Sequence, residues 1–394
     1  MKTIDNISFE GERVVIRVDY NVPINENKKI TDSTRIKSSK ETILRVTEKG
    51  GIVILLTHLG RPKGFDSELS CSIIVDEVSN ILGQKVFFCN STIGQKAESD
   101  VKKLLTGEII LMENVRFFSE ETQGNVKFAK QLSRLGTVYV NDAFGTAHRA
   151  HASTTIIAQF FRKKYFGKLL EKEVKSIDKV MKNGQKPILA ILGGAKISSK
   201  IPIIESLLES VDDILIGGGM AYTFIKARGG SIGDSICEPN LCNYALELLK
   251  KAKNKGVNIH LPSDVTIADS FSNNANIKES KIEEIPDGWQ GLDFGPESIL
   301  KLEPLIAKSK TILWNGPLGV FELDSFSKGT IALGEYISRA TINGTFSLVG
   351  GGDSVAAVKK FGLLNKMSYV STGGGAMLES LEGLTLPGIK ALEE

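Results

Sequence analysis

Little in this 394-residue sequence speaks for cross-linking, membranes or nucleic acid. Its four cysteines, Cys71, Cys89, Cys237 and Cys242, form no C-x-x-C pair. A chain of this length does not depend on disulfide staples, so each is read as a small core or surface residue, and the expected compartment is a reducing cytoplasm. No apolar run approaches the roughly 20 residues of a membrane helix. The opening MKTIDNISFEGERVV has early acids and no apolar core, unlike a signal peptide, and GIKALEE carries no address or lipidation signal. Neither charge sign dominates: 49 Lys and Arg against 46 Asp and Glu leave +3, with no long basic block, so nucleic acid is not an expected partner. Histidine is scarce at four. The close pair His148 and His151 has no third ligand at a sensible spacing, so a zinc site is not expected. No G-x-x-x-x-G-K-[ST] exists, and GGGMAY and GGGDSV both fail at the third glycine of G-x-G-x-x-G, which argues against a nicotinamide oxidoreductase. Asp293-Phe294-Gly295 spells a protein-kinase motif, but no H-R-D loop or V-A-I-K strand precedes it.

What is present is an ordinary globular balance, 41% apolar and 24% charged, at a length that implies two domains. Glycine is in excess at 39 residues, against a typical ~7%. Many glycines cluster at 193–194, 217–219, 350–352 and 373–375, each cluster after a short apolar run. Runs of strand length recur along the chain: VVIRVDYNVP, IVILLTHLGRP, EIILMENVRF, VYVNDAFGTAHRAH, PILAILGGAK, ILIGGGMAYTF, NIHLPSDVTIAD, TILWNGPLGVFE, FSLVGGGDS and SYVSTGGGA. Helical periodicity fills many of the intervals, as at 33–50, 76–83, 243–256 and 353–362. Strands alternating with helices give an α/β fold with parallel sheets covered on both faces, hence the continuous apolar runs. The amphipathic stretch 167–187 reads as one helix joining two such domains.

In a sheet of this kind ligands bind beyond the carboxyl ends of the strands. The unusual residues fall there: Asp19, Asn21, His58, Arg61, Arg116, His148, Arg149, Lys196, Asp264, Asn315, Glu322 and Asp353. Loops of the first half carry arginine, histidine and asparagine; those of the second carry mainly glycine with two lysines and two carboxylates. The first half therefore suits a small anion, since arginine forks pair bidentately with carboxylate or phosphate, and Arg35, Arg61, Arg116 and Arg149 all flank strand ends. The second half suits a nucleotide, whose phosphates need close backbone approach. Lys196 and Lys200, four apart after two glycines, would share one face of a helix and repel each other unless an anion lies between them. GGGDS at 350–354 opens a helix whose N–H groups and dipole favour phosphate, and Asp353 there would suit Mg²⁺, which takes few carboxylates plus phosphate oxygens.

Twelve segments in order, RVDYNVP, ITDSTRIK, THLGRPKG, ENVRF, NDAFGTAHRAH, ILGGAKISSK, IGGGMAYTF, LPSDV, GLDFGPES, WNGPLGVFE, GGGDS and STGGGAMLESLEGLTLPGI, make the chain resemble the phosphoglycerate kinase family nearly end to end. The resemblance implies two doubly wound, Rossmann-like parallel-sheet domains: 1–167 binding 3-phosphoglycerate or 1,3-bisphosphoglycerate, a connecting helix 168–186, a nucleotide domain 187–372, and a segment 373–394 returning to the N-terminal domain. By match, Asp19, Asn21, Arg35, His58, Leu59, Gly60, Arg61, Arg116 and Arg149 would hold the substrate. Lys200, Gly291, Glu322, Gly350, Gly351, Gly352, Asp353 and Ser354 would contact ATP or ADP, with Asp353 on Mg²⁺. Arg35, Lys196 and Lys200 would face the transferring phosphoryl group. Thr57 and Ser354 stand where many relatives have serine and threonine. Both nucleophiles of such a transfer are already anions, so no general base is needed, and catalysis would rest on alignment, charge neutralisation and domain closure. Nothing in the sequence demands more than a monomer. The alternative is a catalytically silent nucleotide-binding protein on the same scaffold; loss of a lysine or of Asp353 would mark it, and all are present.

Overall fold

The computed structural model describes residues 1–394. It separates into two compact units, Met1–Val174 with Thr385–Glu394, and Lys175–Leu384. No helix is long and apolar enough to cross a membrane.

The first unit is built on six parallel strands, β1 (Arg13–Val18), β2 (Ile52–Leu56), β3 (Val86–Cys89), β4 (Ile109–Met112), β5 (Val138–Asp142) and β6 (Lys164–Phe166), in the order β3-β4-β2-β1-β5-β6. Val14 of β1 pairs with Val53 on one side and Val138 on the other, so β1 lies at the centre. Helices cover both faces, and β2, β4 and β5 are buried almost throughout, as their unbroken apolar runs require. Chain order reverses at β1, and the loops after β1, β2, β4 and β5 open at this switch point. Gly388 of the C-terminal segment donates its N–H to the Ala147 carbonyl at 2.8 Å, which ties the chain end to the loop after β5.

The second unit repeats the plan with β7 (Ile188–Leu192), β8 (Asp213–Ile216), β10 (Asn258–His260), β15 (Thr311–Asn315), β16 (Phe346–Val349) and β17 (Tyr369–Val370), in the order β10-β8-β7-β15-β16-β17. Its core joins Leu189, Ile191, Trp314 and Val349 of the sheet to Leu302, Leu333 and Val358 of the covering helices. Small additions flank it: β9 (Ser231–Ile232) pairs with β13 (Glu284–Ile285), and β11 (Asp264–Ala268) lies antiparallel between β12 (Ile277–Lys281) and β14 (Gln290–Phe294).

Three local readings are corrected. The run NIHLPSDVTIAD is two strands in two sheets, because Pro262 falls between them and cannot donate to a ladder. Asp264 consequently opens β11 instead of following a strand, and its carboxylate accepts the N–H groups of Glu297 (3.0 Å) and Ser298 (2.6 Å) at the start of the helix Pro296–Lys308. Lys196 and Lys200 do not share a helix: both precede the helix Ile201–Leu207, which starts with Pro202 in its first turn.

The joining helix runs Lys168–Met181. Its first turn is capped by Asp142 at the end of β5, whose Oδ1 accepts from Leu169 (2.9 Å) and Leu170 (3.2 Å). Burial pushes the Asp142 carboxyl up to about 7, against the pull of those hydrogen bonds.

Candidate active site

In the first unit, the strand-end residues condense into one cationic cluster. Asp19, just past β1, pairs with Arg35 at 3.0 Å, and Arg35 also donates to the Asn21 carbonyl at 3.1 Å. The Asn21 side chain accepts the Gly60 N–H at 2.8 Å, locking the loop after β1 to the loop after β2. Arg116 donates to the Gly60 carbonyl at 2.8 Å, and its buried Nε has no partner. Arg149 donates to His148 at 3.2 Å. His58 and Leu59 are buried, Gly60 is half-buried, and Arg61 is exposed at the rim.

Beneath this layer lies Arg17, fully buried inside β1. It donates to the Val18 carbonyl, to Ser153 Oγ at 2.8 Å and to His58 Nδ1 at 3.1 Å. Ser153 in turn donates to the buried Glu121 at 2.6 Å. Glu121 and Asp19 are the carboxylates set against Arg17, Arg35, Arg116 and Arg149, so positive charge is in excess. The titratable groups register it. Burial and then the field of Arg17, Arg116, Arg35 and Arg149 hold His58 well below the usual imidazole range. Burial, then Arg116, Arg149 and Arg17, lower His151 to about 4. Burial, then Arg17 and Arg149, lower even Arg116 to about 10. Cations held this close while partly desolvated are electrostatically unfavourable until an anion joins them.

In the second unit, a cleft of about 510 Å³ runs along the carboxyl ends of the strands and is lined by Gly291, Leu318, Glu322 and Asp353 among others. Gly291 belongs to β14, and a Cβ there would lie 1.9 Å from the hydroxyl of the buried Tyr222, so glycine is what lets that ring close the wall. Lys200 donates to Asn315 Oδ1 at the end of β15, and Asn315 Nδ2 donates to the Gly350 carbonyl at 2.7 Å. Asn315 therefore holds the lysine turn and the glycine loop together. Burial lowers the Lys200 ammonium, opposed by Asp353 and Glu382. Gly351 has φ +91°, a left-handed conformation, which turns the chain into the helix Gly352–Lys360. Asp353 lies exposed in the first turn of that helix, while the Ser354 hydroxyl points inward and accepts the Gly316 N–H at 2.5 Å. Lys196 is exposed in its loop.

A family model described as phosphoglycerate kinase matches residues 4–384. The chain belongs to the phosphoglycerate kinase family. The phosphoglycerate kinase of Porphyromonas gingivalis is 49% identical, with 99% of this chain and 100% of that one covered. The cytosolic phosphoglycerate kinase of Nicotiana tabacum is 48% identical over 100% of this chain and 98% of its own. Among solved structures, the phosphoglycerate kinase of Coxiella burnetii matches with a TM-score of 0.92 at 41% identity, covering 99% of this chain and 98% of that one. The protein from Pyrococcus horikoshii OT3 matches with a TM-score of 0.83 at 29% identity over 100% and 98%. The two parallel-sheet units of this chain are the fold of that family.

Several side chains of the sites were not singled out from sequence. Arg17 hides within an apolar strand run; its one signal is a charge where both faces of a strand should be buried. Glu121 and Ser153 are ordinary surface types in the sequence, and only the fold brings them 2.6 Å apart across 32 residues. Asn315 was visible as a strand-end polar residue, but its role as a bridge depends on the distant Lys200 and Gly350. No group of three or more His, Cys, Asp or Glu side chains is arranged to hold a metal, and the structure carries His148 beside Arg149 and His151 beside Glu121.

Proposed function

We propose that this chain catalyses the reversible glycolytic transfer of a phosphoryl group from 1,3-bisphosphoglycerate to ADP, giving 3-phosphoglycerate and ATP. The observation that carries this reading is the cationic cluster of the first unit. After burial, its arginines further depress His151 and Arg116, and so concentrated a positive charge suits a ligand bearing both a phosphate and a carboxylate. In this reading Asp19, Asn21, Arg35, the segment His58–Arg61, Arg116 and Arg149 hold the phosphoglycerate. Arg17 holds His58 by donating to Nδ1, which leaves Nε2 as the imidazole's own donor.

The cleft of the second unit takes the nucleotide. Its walls are largely apolar where a planar base would lie, as at Leu292, Pro317 and Leu318, and end at Asp353 of the Gly350–Ser354 loop, whose backbone N–H groups would meet phosphates. Asp353 is a single exposed carboxylate at that end, which fits Mg²⁺ carried in by the nucleotide rather than by a protein cage. When bound, Mg²⁺ neutralises charge on the phosphate oxygens. Ser354 contributes by fixing the loop through Gly316, and Lys200, held by Asn315, supplies a positive charge beside Asp353. Acceptor and donor oxygens are already ionised, so these residues orient and neutralise and need move no proton. Two ligands carried by separate units call for closure that excludes water before transfer, with Arg35, Lys196 and Lys200 facing the moving phosphoryl group. We place the enzyme in the cytoplasm, as the Nicotiana tabacum relative is named cytosolic, and read it as a monomer.

The test is ADP release from ATP with and without 3-phosphoglycerate and Mg²⁺, trapping the acyl phosphate with hydroxylamine. Strict dependence on both is expected. Folded protein that binds ATP but forms no acyl phosphate would favour a silent scaffold.

A further inference from the structure

A second cavity in the Lys175–Leu384 unit lies apart from the strand-end cleft. It measures about 380 Å³, within the ~300–1,000 Å³ of small-ligand pockets. It arises because β10 is an edge strand of three residues, after which the chain leaves the sheet for β11, and the helix Pro296–Lys308 spans the gap without filling it. The floor is apolar and buried: Leu215, Phe294, Leu302 and Leu305. The mouth carries Lys301, Lys308 and His260. Lys308 (3.0 Å) and His260 (2.6 Å) both face the buried Asp213 carboxylate, so that negative charge is answered. Lys301 is different. Its ammonium donates to Ser263 Oγ at 2.8 Å, meets Glu297 at a solvent-exposed 4.0 Å, and its side chain is 66% exposed. An apolar floor with one weakly answered cation at its lip is complementary to a monoanion with an apolar body.

The cavity and the cleft share no lining residue, but packed side chains link them. Phe294 lines the cavity from one side, and a Cβ built on Gly217, next to the cleft glycines Gly218 and Gly219, would meet its ring at 3.2 Å. Phe294 shares a core with Leu318 of the cleft wall, and its strand carries Gly291 and Leu292 of the same wall. A ligand pressing on Phe294 therefore acts on packed groups that shape the cleft.

We propose that this cavity is an effector site for an aromatic monocarboxylate, coupled to the strand-end cleft through Phe294. The coupling rests on reading that cleft as the nucleotide site, which direct ADP titration tests separately. The probe is 2-naphthoate, with 2-naphthalenemethanol as the uncharged control, titrated into the full chain with ADP saturating. Saturable binding at one site is expected, with methyl NMR shifts at Leu215, Leu302 and Leu305. Lys301→Gln, at an exposed position that should not disturb folding, weakens naphthoate by about 2- to 5-fold and leaves the alcohol unchanged. ADP affinity changes by about 5-fold or more when naphthoate is bound, and naphthoate affinity changes by the same factor when ADP is bound. Displacement of naphthoate by ADP, non-saturating binding, or equal affinity for the Lys301→Gln variant would overturn the site. An ADP affinity indifferent to bound naphthoate would overturn the effector role.

Discussion

Glu121→Gln probes the electrostatic balance of the first unit most sharply, because two readouts should move in opposite directions. Glu121 is fully buried and accepts Ser153 Oγ at 2.6 Å and Ser153 N at 2.8 Å. Glutamine keeps the shape and can still accept the backbone N–H. Its amide N–H₂ would then face Ser153 Oγ, which already accepts from Arg17, and the serine hydroxyl proton would lose its acceptor. A buried donor left unsatisfied costs about 1–3 kcal/mol. Removing the carboxylate also leaves Arg17 and Arg116 less compensated, and breaking a buried charge pairing costs about 3–5 kcal/mol as a whole. We therefore expect a loss near 3–5 kcal/mol, or about 10 °C in Tm for a unit of this size. The same substitution adds one net positive charge beside the cationic cluster, so 3-phosphoglycerate binds more tightly and sulfate or 3-phosphoglycerate raises Tm more than in the unsubstituted chain. Differential scanning calorimetry with and without ligand, beside isothermal titration, reads both. A Tm within about 2 °C of the parent, or anion affinity that is unchanged or weaker, would refute the reasoning.

His151, lowered to about 4 by burial and then by Arg116, Arg149 and Arg17, should move upward when 3-phosphoglycerate neutralises those arginines, which imidazole NMR resonances will follow; a ligand-independent titration would contradict this. Because His151 is lowered from its unfolded value, its share of stability is complete above about 6.5 and is lost as pH falls towards about 4. Asp142 has the opposite sign: raised to about 7, it favours the folded state at low pH and loses that contribution as pH rises from the unfolded value of 3.8 through 7. Asp142→Asn should remove this fall, read as a flatter stability–pH curve in urea titrations, and an unchanged slope would dismiss Asp142 as its source. Lys200→Ala should reduce kcat by about 10²–10³ with little change in the binding of either ligand, as for loss of a group that stabilises transition-state charge. Gly291→Ala should weaken ADP by displacing the Tyr222 ring, and should leave 3-phosphoglycerate binding as it was.

Much of the architecture was legible because parallel strands buried on both faces leave continuous apolar runs, and β1, β2, β4, β5, β7, β8, β15 and β16 all announce themselves this way. Of the strands that escaped notice, β3 is an apolar VFFC of only four residues, and others lack that signature altogether. β6 is KYF, with two of its three residues only half-buried, and β12 is IKESK, almost wholly exposed. The loops of the candidate sites were legible for a related reason: arginines, histidines and glycine clusters stand out when they follow apolar runs. What sequence cannot supply is the partner of each group. The helix expected under Lys196 and Lys200 starts only at Ile201, and Lys200 finds its partner 115 residues away in Asn315. The arginine buried in β1 is tolerable only because Ser153, His58 and the Val18 carbonyl, drawn from separate segments, take up its donors.

The most direct test of the central claim, that the cationic cluster holds the phosphoglycerate and the glycine-walled cleft holds the magnesium nucleotide, is isothermal titration of both ligands into Arg116→Ala and Asp353→Asn. Arg116→Ala should lose 3-phosphoglycerate binding and keep its affinity for ADP with Mg²⁺. Asp353→Asn should weaken ADP with Mg²⁺ and keep 3-phosphoglycerate. Loss of both ligands together in either folded variant, or the reverse pattern, would contradict the assignment of one ligand to each unit.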